Sequence, residues 1–231
     1  MIEASAVSFR YPDGHLALQD VSFHLHAGEK VALLGANGAG KSTLLLALNG
    51  ILRAEGRIRV CGMELNDHNL PLIRARVGVI FQNPDDQLFS PSVYEDVAYG
   101  PYYQGLNGDE IEQRVNQALQ AVGMQAFARR HPFHLSGGEK KRVAIATVLS
   151  MQPSVLVFDE PTSGLDPRAR RELLELLSSL PQTMLIATHD LDFVSRLTTR
   201  SIVLNQGKIT ADQPTAALLH DEQFLYQNGL R

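Results

Sequence analysis

The stretch Gly35-Ala-Asn-Gly-Ala-Gly-Lys41-Ser42-Thr43 decides the fold of this chain. It has the spacing G-x-x-x-x-G-K-S, which is typical of a phosphate-binding loop. The apolar residues just before it predict a buried strand over 30–34. The residues after it predict a helix over 43–48, with Gly50 as the stop signal. A glycine-rich turn between a strand and a helix is the context that this motif needs.

The composition of this loop predicts how a nucleotide would be held. Gly35, Gly38 and Gly40 allow the backbone to approach a polyphosphate, which would face N–H groups and the positive end of a helix. We expect Lys41 to reach the β- and γ-phosphates and the Ser42 hydroxyl to bind Mg²⁺. The alternative, a glycine-rich turn without a chemical role, is disfavoured by the strand before it and the helix after it.

Length and composition limit the possible classes of protein. The chain has 231 residues, of which 44% are hydrophobic and 20% are charged, and its formal net charge is −4. These values predict one soluble α/β domain with an inserted subdomain and argue against a strongly basic nucleic-acid binder. Cys61 is the only cysteine, which fits a reducing compartment. The sequence shows no transmembrane run and no signal peptide, so we expect any membrane role to depend on a partner.

Polar residues follow three predicted strands. Asp159 and Glu160 end the apolar stretch 154–160, and His189 and Gln82 each end another predicted strand. Ligands bind at the carboxyl edge of a parallel sheet, so we expect Asp159 to hold Mg²⁺ and Glu160 to polarise the water that attacks the γ-phosphate. His189 is a candidate contact of the γ-phosphate, and Gln82 a candidate sensor of metal or water. Without the phosphate-binding loop, a solvated acidic pair would explain Asp159 and Glu160 as well.

The middle of the chain predicts helices. A breaker-rich stretch follows Gln82, and helices are expected over 93–99, over 109–122, and from about Glu139 through Leu149. The composition of Ser136-Gly137-Gly138 predicts a donor-rich turn that opens the last of these helices, and its backbone is a second candidate anion site. The alternative is an ordinary helix cap with Ser136 as the N-cap. Two phosphate-binding turns in one chain suggest that the second serves a nucleotide held by another copy.

The two ends of the chain predict further strands and one more helix. Residues 2–9 and 21–25 predict two strands joined by a turn at Tyr11-Pro-Asp-Gly14, and an aromatic ring there can stack on a base. Residues 201–210 predict a hairpin, followed by a short helical tail. A helix is expected over 168–180, with an apolar face of Leu173, Leu174, Leu176, Leu177 and Leu180.

In these motifs the chain resembles the ATP-binding subunit of ABC (ATP-binding cassette) transporters over essentially its whole length. Residues 35–43 match the Walker A loop, 155–160 match Walker B with the adjoining catalytic glutamate, and 135–139 match the signature motif. In the signature, Glu139 stands where Gln is the commoner residue. The Q-loop, D-loop, switch histidine and aromatic A-loop are matched by Gln82, 163–166, His189 and Tyr11.

The resemblance implies the ABC ATPase fold, an α/β P-loop NTPase (RecA-like) core with an antiparallel β subdomain and an inserted helical subdomain. We expect one domain over 1–231, in which 1–82 and 151–231 form the α/β core and 83–150 form the helical signature subdomain. The implied activity is ATP hydrolysis, with ATP and Mg²⁺ bound.

The resemblance also implies the site residues. The catalytic residues would be Glu160, His189 and Gln82, and the Mg²⁺ ligands would be Ser42, Gln82 and Asp159. The nucleotide would contact Tyr11, Gly35, Asn37, Gly38, Gly40, Lys41, Ser42, Thr43, Ser136, Gly137 and Gly138. Two copies, a homodimer being favoured, would close head-to-tail around two ATP molecules, and Asp166 would communicate between the sites.

A narrower resemblance lies in Phe81-Gln-Asn-Pro-Asp-Asp-Gln-Leu-Phe89 and in 95–101, which are similar to the cobalt/nickel and energy-coupling-factor importers. In that group the ATPase pair drives an integral membrane coupling protein, which works with a separate substrate-binding membrane protein. This implies a peripheral protein at the cytoplasmic face of the cell membrane. The favoured cargo is a transition-metal ion, cobalt or nickel, and a vitamin is the alternative. Leu88, Phe89 and Tyr99 could line the groove for the membrane protein or could be core residues.

Two other classes of protein remain as alternatives. A non-transport ABC ATPase acting on ribosomes or DNA would usually carry two cassettes or long coiled coils, which this chain lacks. The acidic balance of the chain also argues against nucleic acid as a partner. A small-molecule kinase could use the phosphate-binding loop, but it would not account for 135–139, 163–166 or His189.

Overall fold

The computed structural model describes all 231 residues of the chain. The strands are β1 Ile2–Arg10, β2 Leu16–Leu25, β3 Lys30–Leu34, β4 Glu55–Val60, β5 Met63–Glu64, β6 Val77–Ile80, β7 Val155–Asp159, β8 Thr183–Ala187, β9 Arg200–Asn205 and β10 Lys208–Pro214. The helices are α1 Lys41–Leu48, α2 Leu70–Arg76, α3 Val93–Tyr103, α4 Gly108–Ala121, α5 Gly137–Leu149, α6 Pro167–Ser179, α7 Leu191–Leu197, α8 Thr215–His220 and α9 Glu222–Gln227. None of these helices has both the length and the apolar character needed to cross a membrane.

A six-stranded sheet provides the edge at which the site is built. Its strand order is β10-β9-β3-β8-β7-β6. Strand β3 pairs in parallel with β8 and β9, and β7 pairs in parallel with β8. The carboxyl ends of β3, β8 and β7 therefore meet at one edge. The central strands are buried and mainly apolar, apart from Asp159 at the end of β7 and Thr183 at the start of β8, as expected for a parallel sheet covered on both faces.

A second sheet is antiparallel and has the order β2-β1-β4-β5. Alternate residues of β1 and β2 are buried, so that Ile2, Ala4, Leu25 and Phe23 join a core shared with β3 and α1. This alternation is what a strand with one covered face requires. The predicted antiparallel β subdomain and the parallel α/β core are thus both confirmed.

The chain divides into two compact units. The first contains Met1–Val79, Ser154–Glu160 and Pro181–Arg231, and the second contains Ile80–Pro153 and Pro161–Leu180. Both sheets, apart from the last residue of β6, belong to the first unit. The division predicted at residues 83 and 150 stays a prediction.

The second unit is helical and is built around α5. Helix α3 packs against α4 and α5, and α5 also packs against α6. Helix α3 runs four residues further than the predicted end at Tyr99, although Pro101 lies inside it. A proline leaves the carbonyl four residues earlier without its helical donor. Here that carbonyl belongs to Val97 and accepts a hydrogen bond of 2.8 Å from the Ser150 hydroxyl.

Some local predictions differ from the structure. Leu174 and Leu176 of α6 are only half-buried, whereas Leu173, Leu177 and Leu180 are buried. Five leucines span a wider arc than the stripe that one packed face of a helix covers, so the outer two remain partly exposed. Helix α2 was not expected, because only Ile73 within it is buried and its sequence carries no clear period.

Candidate functional site

The first unit places four predicted site segments at the carboxyl edge of its parallel strands. The phosphate-binding loop follows β3, Asp159 ends β7, and Glu160 comes directly after it. His189 lies two residues beyond β8, which is paired with both β3 and β7. The order of the strands in the sheet therefore brings Asp159, Glu160 and His189 to the same edge as the phosphate-binding loop.

The glycines of the loop are required by close packing of the backbone. Gly40 has φ of 103° and is the N-cap of α1. A Cβ on Gly40 would overlap the carbonyl oxygen of Ala17, and a Cβ on Gly35 would overlap that of Leu204. Sequence reasoning assigned these glycines to the approach of phosphate only. The structure adds that they let the loop fit against β2 and β9.

Helix α1 begins without a side-chain cap, since Gly40 has no side chain to accept a hydrogen bond. Its first turn also contains no acidic residue. The backbone N–H groups at the start of a helix and the helix dipole both favour an anion. Ser42 and Asn37 are exposed, whereas Thr43 is buried. The start of α1 can therefore receive a phosphate, as its sequence predicts.

The ammonium group of Lys41 is buried against the loop. It donates hydrogen bonds to the carbonyl oxygens of Gly35 at 2.7 Å and Ala36 at 3.2 Å. It also lies 3.6 Å from Oε1 of Glu160. These contacts hold a positive charge next to the N–H groups that begin α1. Together they form a site for a polyphosphate.

The Glu160 carboxylate lies at the centre of a small polar cluster. Its Oε2 accepts a hydrogen bond of 3.1 Å from the Thr188 hydroxyl and lies 3.0 Å from Nδ1 of His189. The side chain of Glu160 is 9% exposed, and that of His189 is 67% exposed. A buried carboxylate with one exposed imidazole neighbour is suited to accepting or orienting a proton of water.

The backbone of Glu160 also has an uncommon conformation. Its φ is 43°, in the left-handed region that residues other than glycine rarely adopt. The Glu160 N–H donates to the carbonyl of Ala187 at 2.8 Å, which continues the pairing of β7 with β8 past Asp159. Such backbone strain is often found at functional sites, where surrounding structure maintains it.

Tyr11 lies beside the first turn of α1. Its hydroxyl and that of Thr43 are 3.0 Å apart, and the Phe9 ring contacts it edge-on at 4.9 Å between centroids. The turn predicted at Tyr11-Pro-Asp-Gly14 is present between β1 and β2. The aromatic ring is thus fixed beside α1, where a base could stack on it.

The oxygen donors near the loop fit a magnesium ion carried by nucleotide. Mg²⁺ prefers hard oxygen ligands, and Ser42 and Asp159 supply a hydroxyl and a carboxylate. The structure contains no group of three or more His, Cys, Asp or Glu side chains that could hold a metal ion by itself. Phosphate oxygens would complete the coordination, which is the usual arrangement for Mg²⁺ at nucleotide sites.

Gln82 and the signature residues belong to the second unit. Gln82 is exposed, and its carbonyl accepts a hydrogen bond of 2.7 Å from the buried Lys141 ammonium. Gln87 donates to the Ala144 carbonyl and the Thr147 hydroxyl, so the segment after Gln82 is attached to α5 at two places. The signature helix and the Q-loop candidate are therefore one connected structure.

Ser136 begins α5 through a capping box with Glu139. The Glu139 carboxylate accepts from the Ser136 N–H at 2.7 Å and from the Ser136 hydroxyl at 2.8 Å. The hydrogen bond from the Ser136 backbone is the main cause that lowers the pKa of Glu139, and Arg142 and Arg130 add to it. Ser136 is thus the N-cap that the sequence offered as the alternative to an anion site, and it remains exposed. Sequence reasoning missed the partner role of Glu139, although the S-x-x-E spacing indicates it.

A polar cavity of about 530 Å³ opens at this turn. It is lined by Ser136, Gly137, Gly138, Arg142, Asp166 and Arg168, among others. Asp166 caps α6 by accepting from the N–H groups of Arg168 and Ala169, which lowers the pKa of its carboxyl. The D-loop and signature candidates thus line one cavity. Its arginines and the N–H groups of the Ser136 turn can meet an anion, whereas the carboxylates of Glu139, Asp166 and Glu172 oppose one.

Comparison with known proteins agrees with these observations. The family model described as "ABC transporter" matches residues 18–163. A Streptomyces coelicolor protein named "Putative ABC transporter ATP-binding protein" is 52% identical over 99% of this chain and 88% of its own length. The "Energy-coupling factor transporter ATP-binding protein EcfA" of Methanothermobacter thermautotrophicus is 46% identical over 100% of this chain and 76% of its own length.

Solved structures show the same fold. The cbiO1 protein of Clostridium perfringens, described as part of the ABC transporter complex cbiONQ, is 38% identical with a TM-score of 0.87. The alignment covers 100% of this chain and 94% of cbiO1. The ATP-binding cassette MJ0796, solved as a dimer in a post-hydrolysis state with ADP and Pi, is 28% identical with a TM-score of 0.82, over 93% and 99% of the two chains. The chain therefore belongs to the ABC transporter family of ATP-binding, ATP-hydrolysing proteins.

Proposed function

We propose that this protein is the ATP-hydrolysing subunit of an energy-coupling-factor type importer, and that the imported cargo is a transition-metal ion, cobalt or nickel. The observation that supports this most is the similarity to EcfA and cbiO1, which extends over the whole chain. The segments 81–89 and 95–101 carry the narrower resemblance to the same group. A vitamin as cargo is the second candidate, because this ATPase need not touch what is transported.

The proposed reaction assigns a role to each site residue of the first unit. Lys41 turns from the Gly35 carbonyl toward the β- and γ-phosphates, while N–H groups at the start of α1 bind the same oxygens. Glu160 orients the attacking water, and His189, 3.0 Å from it, contacts the γ-phosphate. Ser42 and Asp159 hold Mg²⁺. This ion neutralises charge that develops on the phosphates.

A second copy completes the proposed site. The exposed turn Ser136-Gly137-Gly138 would face the γ-phosphate of ATP bound to the partner copy, as the cavity of about 530 Å³ allows. The dimeric state of MJ0796 supports this arrangement. ATP would then act as a removable part of the interface, so that hydrolysis lets the two copies separate.

The second unit offers a surface for the membrane coupling protein. Phe89, Tyr99, Tyr102 and Tyr103 form an exposed aromatic patch beside a mainly apolar groove of about 720 Å³. Phe89 and Tyr99 contact edge-on at 5.1 Å. The buried Asp96 carboxylate accepts from the N–H groups of Phe89 and Ser90, which fixes the loop that carries the patch. A short amphipathic helix of the membrane protein fits a groove of this kind.

The test is a pull-down of tagged protein from gently solubilised native membranes, with mass spectrometry of the proteins that co-purify. We expect a multi-span membrane protein together with its substrate-binding companion, whose identity distinguishes a metal from a vitamin. The variant Lys41→Ala, which should not bind ATP, serves as a control for assembly without turnover. Recovery of ribosomal proteins or DNA, with no membrane protein, would contradict the transporter assignment and support a non-transport ATPase.

A further inference from the structure

The turn between β1 and β2 carries two aromatic rings that pair with each other. The rings of Tyr11 and His15 are within 18° of parallel, and their centroids are 6.4 Å apart. Tyr11 is half-buried and His15 is exposed. No role has been assigned so far to His15, which follows the Pro-Asp-Gly turn.

Hydrogen bonds fix the backbone that carries both rings. The Tyr11 N–H donates to the His15 carbonyl at 2.9 Å, and the Gly14 N–H donates back to the Tyr11 carbonyl at 2.9 Å. The His15 N–H donates to the Asp13 carboxylate at 2.9 Å. The Arg10 guanidinium donates to the Gly14 carbonyl at 2.6 Å. Because the turn closes on itself, the spacing of the two ring-bearing residues is set before any ligand binds.

The two rings form a nearly parallel pair. Their centroid distance of 6.4 Å lies within the range of about 4.5–7 Å found for aromatic pairs. A base that enters between them would therefore move the exposed His15 ring away from Tyr11. Tyr11 is held in place by Phe9 and Thr43, whereas the exposed His15 side chain can adjust.

We propose that His15 forms the second wall of a clamp for the nucleobase, opposite Tyr11. This inference rests on the proposed nucleotide site and adds a residue that contacts the base. Stacking uses the face of a base and does not read its hydrogen-bonding edge. The clamp therefore selects large flat bases, and purine nucleoside triphosphates are the ligand class that it fits best.

The test compares ATP with inorganic tripolyphosphate, which has the phosphates but no base. Affinities are measured by isothermal titration calorimetry for the wild type, His15→Ala and His15→Phe, with His220→Ala as an exposed-histidine control. Loss of one stacking face should weaken ATP binding by about 5- to 10-fold in His15→Ala, at the low end for base stacking because the site is exposed. The variant His15→Phe should restore binding to within about twofold of the wild type, because it retains a ring.

Binding of tripolyphosphate distinguishes an effect on the clamp from an effect on the phosphate site. Its affinity should be the same in the wild type and in both His15 variants, and should be lost in Lys41→Ala. Unchanged ATP affinity in His15→Ala would overturn the clamp. An equal loss of ATP and tripolyphosphate in His15→Ala would also overturn it, since the substitution would then act on the loop. Wild-type affinity for both ligands in Lys41→Ala would instead refute the proposed nucleotide site itself.

Discussion

The Lys41 ammonium and the Glu160 carboxylate lie 3.6 Å apart, and both side chains are more than nine-tenths buried. One residue begins α1 and the other follows β7, so the contact joins the phosphate-binding loop to the neighbouring strand end. A polyphosphate that attracts Lys41 would weaken this contact and leave Glu160 to interact with water. We therefore expect the pair to couple the arrival of nucleotide to the availability of the carboxylate.

Replacement of Lys41 by alanine should remove nucleotide binding. The ammonium is the buried positive charge of the loop, and a hydrogen bond to a charged group is worth roughly 10- to 150-fold in affinity. The measurement is calorimetric titration with ATP. Lys208→Ala, at an exposed lysine of β10, is the control and should bind normally. Unchanged affinity in Lys41→Ala would contradict the assignment of the loop.

Replacement of Glu160 by glutamine should preserve ATP binding and slow hydrolysis by about 10²- to 10⁴-fold, the usual value of a positioned base. The amide keeps the size of the side chain and its contact with Thr188 but cannot accept a proton. Because ATP then persists, a dimer should accumulate. Phosphate release and size-exclusion chromatography with light scattering measure the two effects. Hydrolysis at the wild-type rate would remove Glu160 from its proposed role.

Replacement of Glu139 by glutamine should strengthen ATP-dependent dimerisation. The carboxylate binds the Ser136 hydroxyl and keeps a negative charge where we place the partner's γ-phosphate. Glutamine retains an acceptor for the Ser136 N–H without the charge, so the dimerisation constant measured in the Glu160→Gln background should rise on the order of three- to tenfold.

The matched control for this effect is Glu139→Ala, which removes the charge and also the capping box. It should lower the stability of α5 by about 1 kcal/mol. Chemical denaturation distinguishes the two variants. Weaker dimerisation in Glu139→Gln would show that the carboxylate assists closure.

Removal of the aromatic patch should separate transport from ATP binding. The double variant Phe89→Ser, Tyr99→Ser should reduce co-purification of the membrane protein by at least about tenfold, the loss expected of a central aromatic anchor. Its affinity for ATP should remain that of the wild type. Tyr226→Ser removes a tyrosine of α9 that is more exposed than either residue of the double variant, and it serves as the control. Full recovery of the partner with the double variant would place docking elsewhere.

The ion pairs around Arg200 should make stability depend on pH. Burial of Glu29 raises the pKa of its carboxyl, but the His26 N–H and the Arg200 guanidinium together lower it below the usual 4.5. A lowered pKa in the folded protein means that the stabilisation is present above the unfolded value and is lost as pH falls through the folded one.

Denaturant unfolding of the wild type and of Glu29→Gln should therefore differ at pH 7 and converge at acidic pH, below the lowered pKa of Glu29 in the folded protein. Glu64→Gln, which removes an exposed partner of Arg57, should change stability little at either pH. An equal difference between wild type and Glu29→Gln at both values of pH would show that the carboxylate acts through packing alone.

The local elements of the fold could be predicted because each leaves a pattern in the sequence. The strand before Gly35, the helix after Lys41 and the stop at Gly50 were predicted, and the structure has β3, α1 and a positive φ at Gly50. The apolar strand before Asp159 and the polar residue after β8 were likewise visible. These are short-range signals, which propensity and periodicity carry well.

What the sequence did not reveal depends on contacts between distant segments. The Lys41–Glu160 and Glu160–Thr188 contacts join residues that the sheet order brings together, and no local pattern encodes them. The hydrogen bond from the Ser150 hydroxyl to the Val97 carbonyl depends on how α3 packs on α5. The Ser136–Glu139 capping box was different: its spacing is visible in the sequence and Ser136 was considered as an N-cap, but Glu139 was assigned only to the signature motif.

The close fit of Gly35 and Gly40 changes how mutations in the loop should be interpreted. A methyl group at either position would collide with the backbone of another strand. Substitution there therefore tests whether the first unit can assemble, whereas substitution of Lys41 or Ser42 tests the chemistry of phosphate. A relative that had lost ATP binding would still need these two glycines, so their presence is a mark of shared architecture rather than of retained activity.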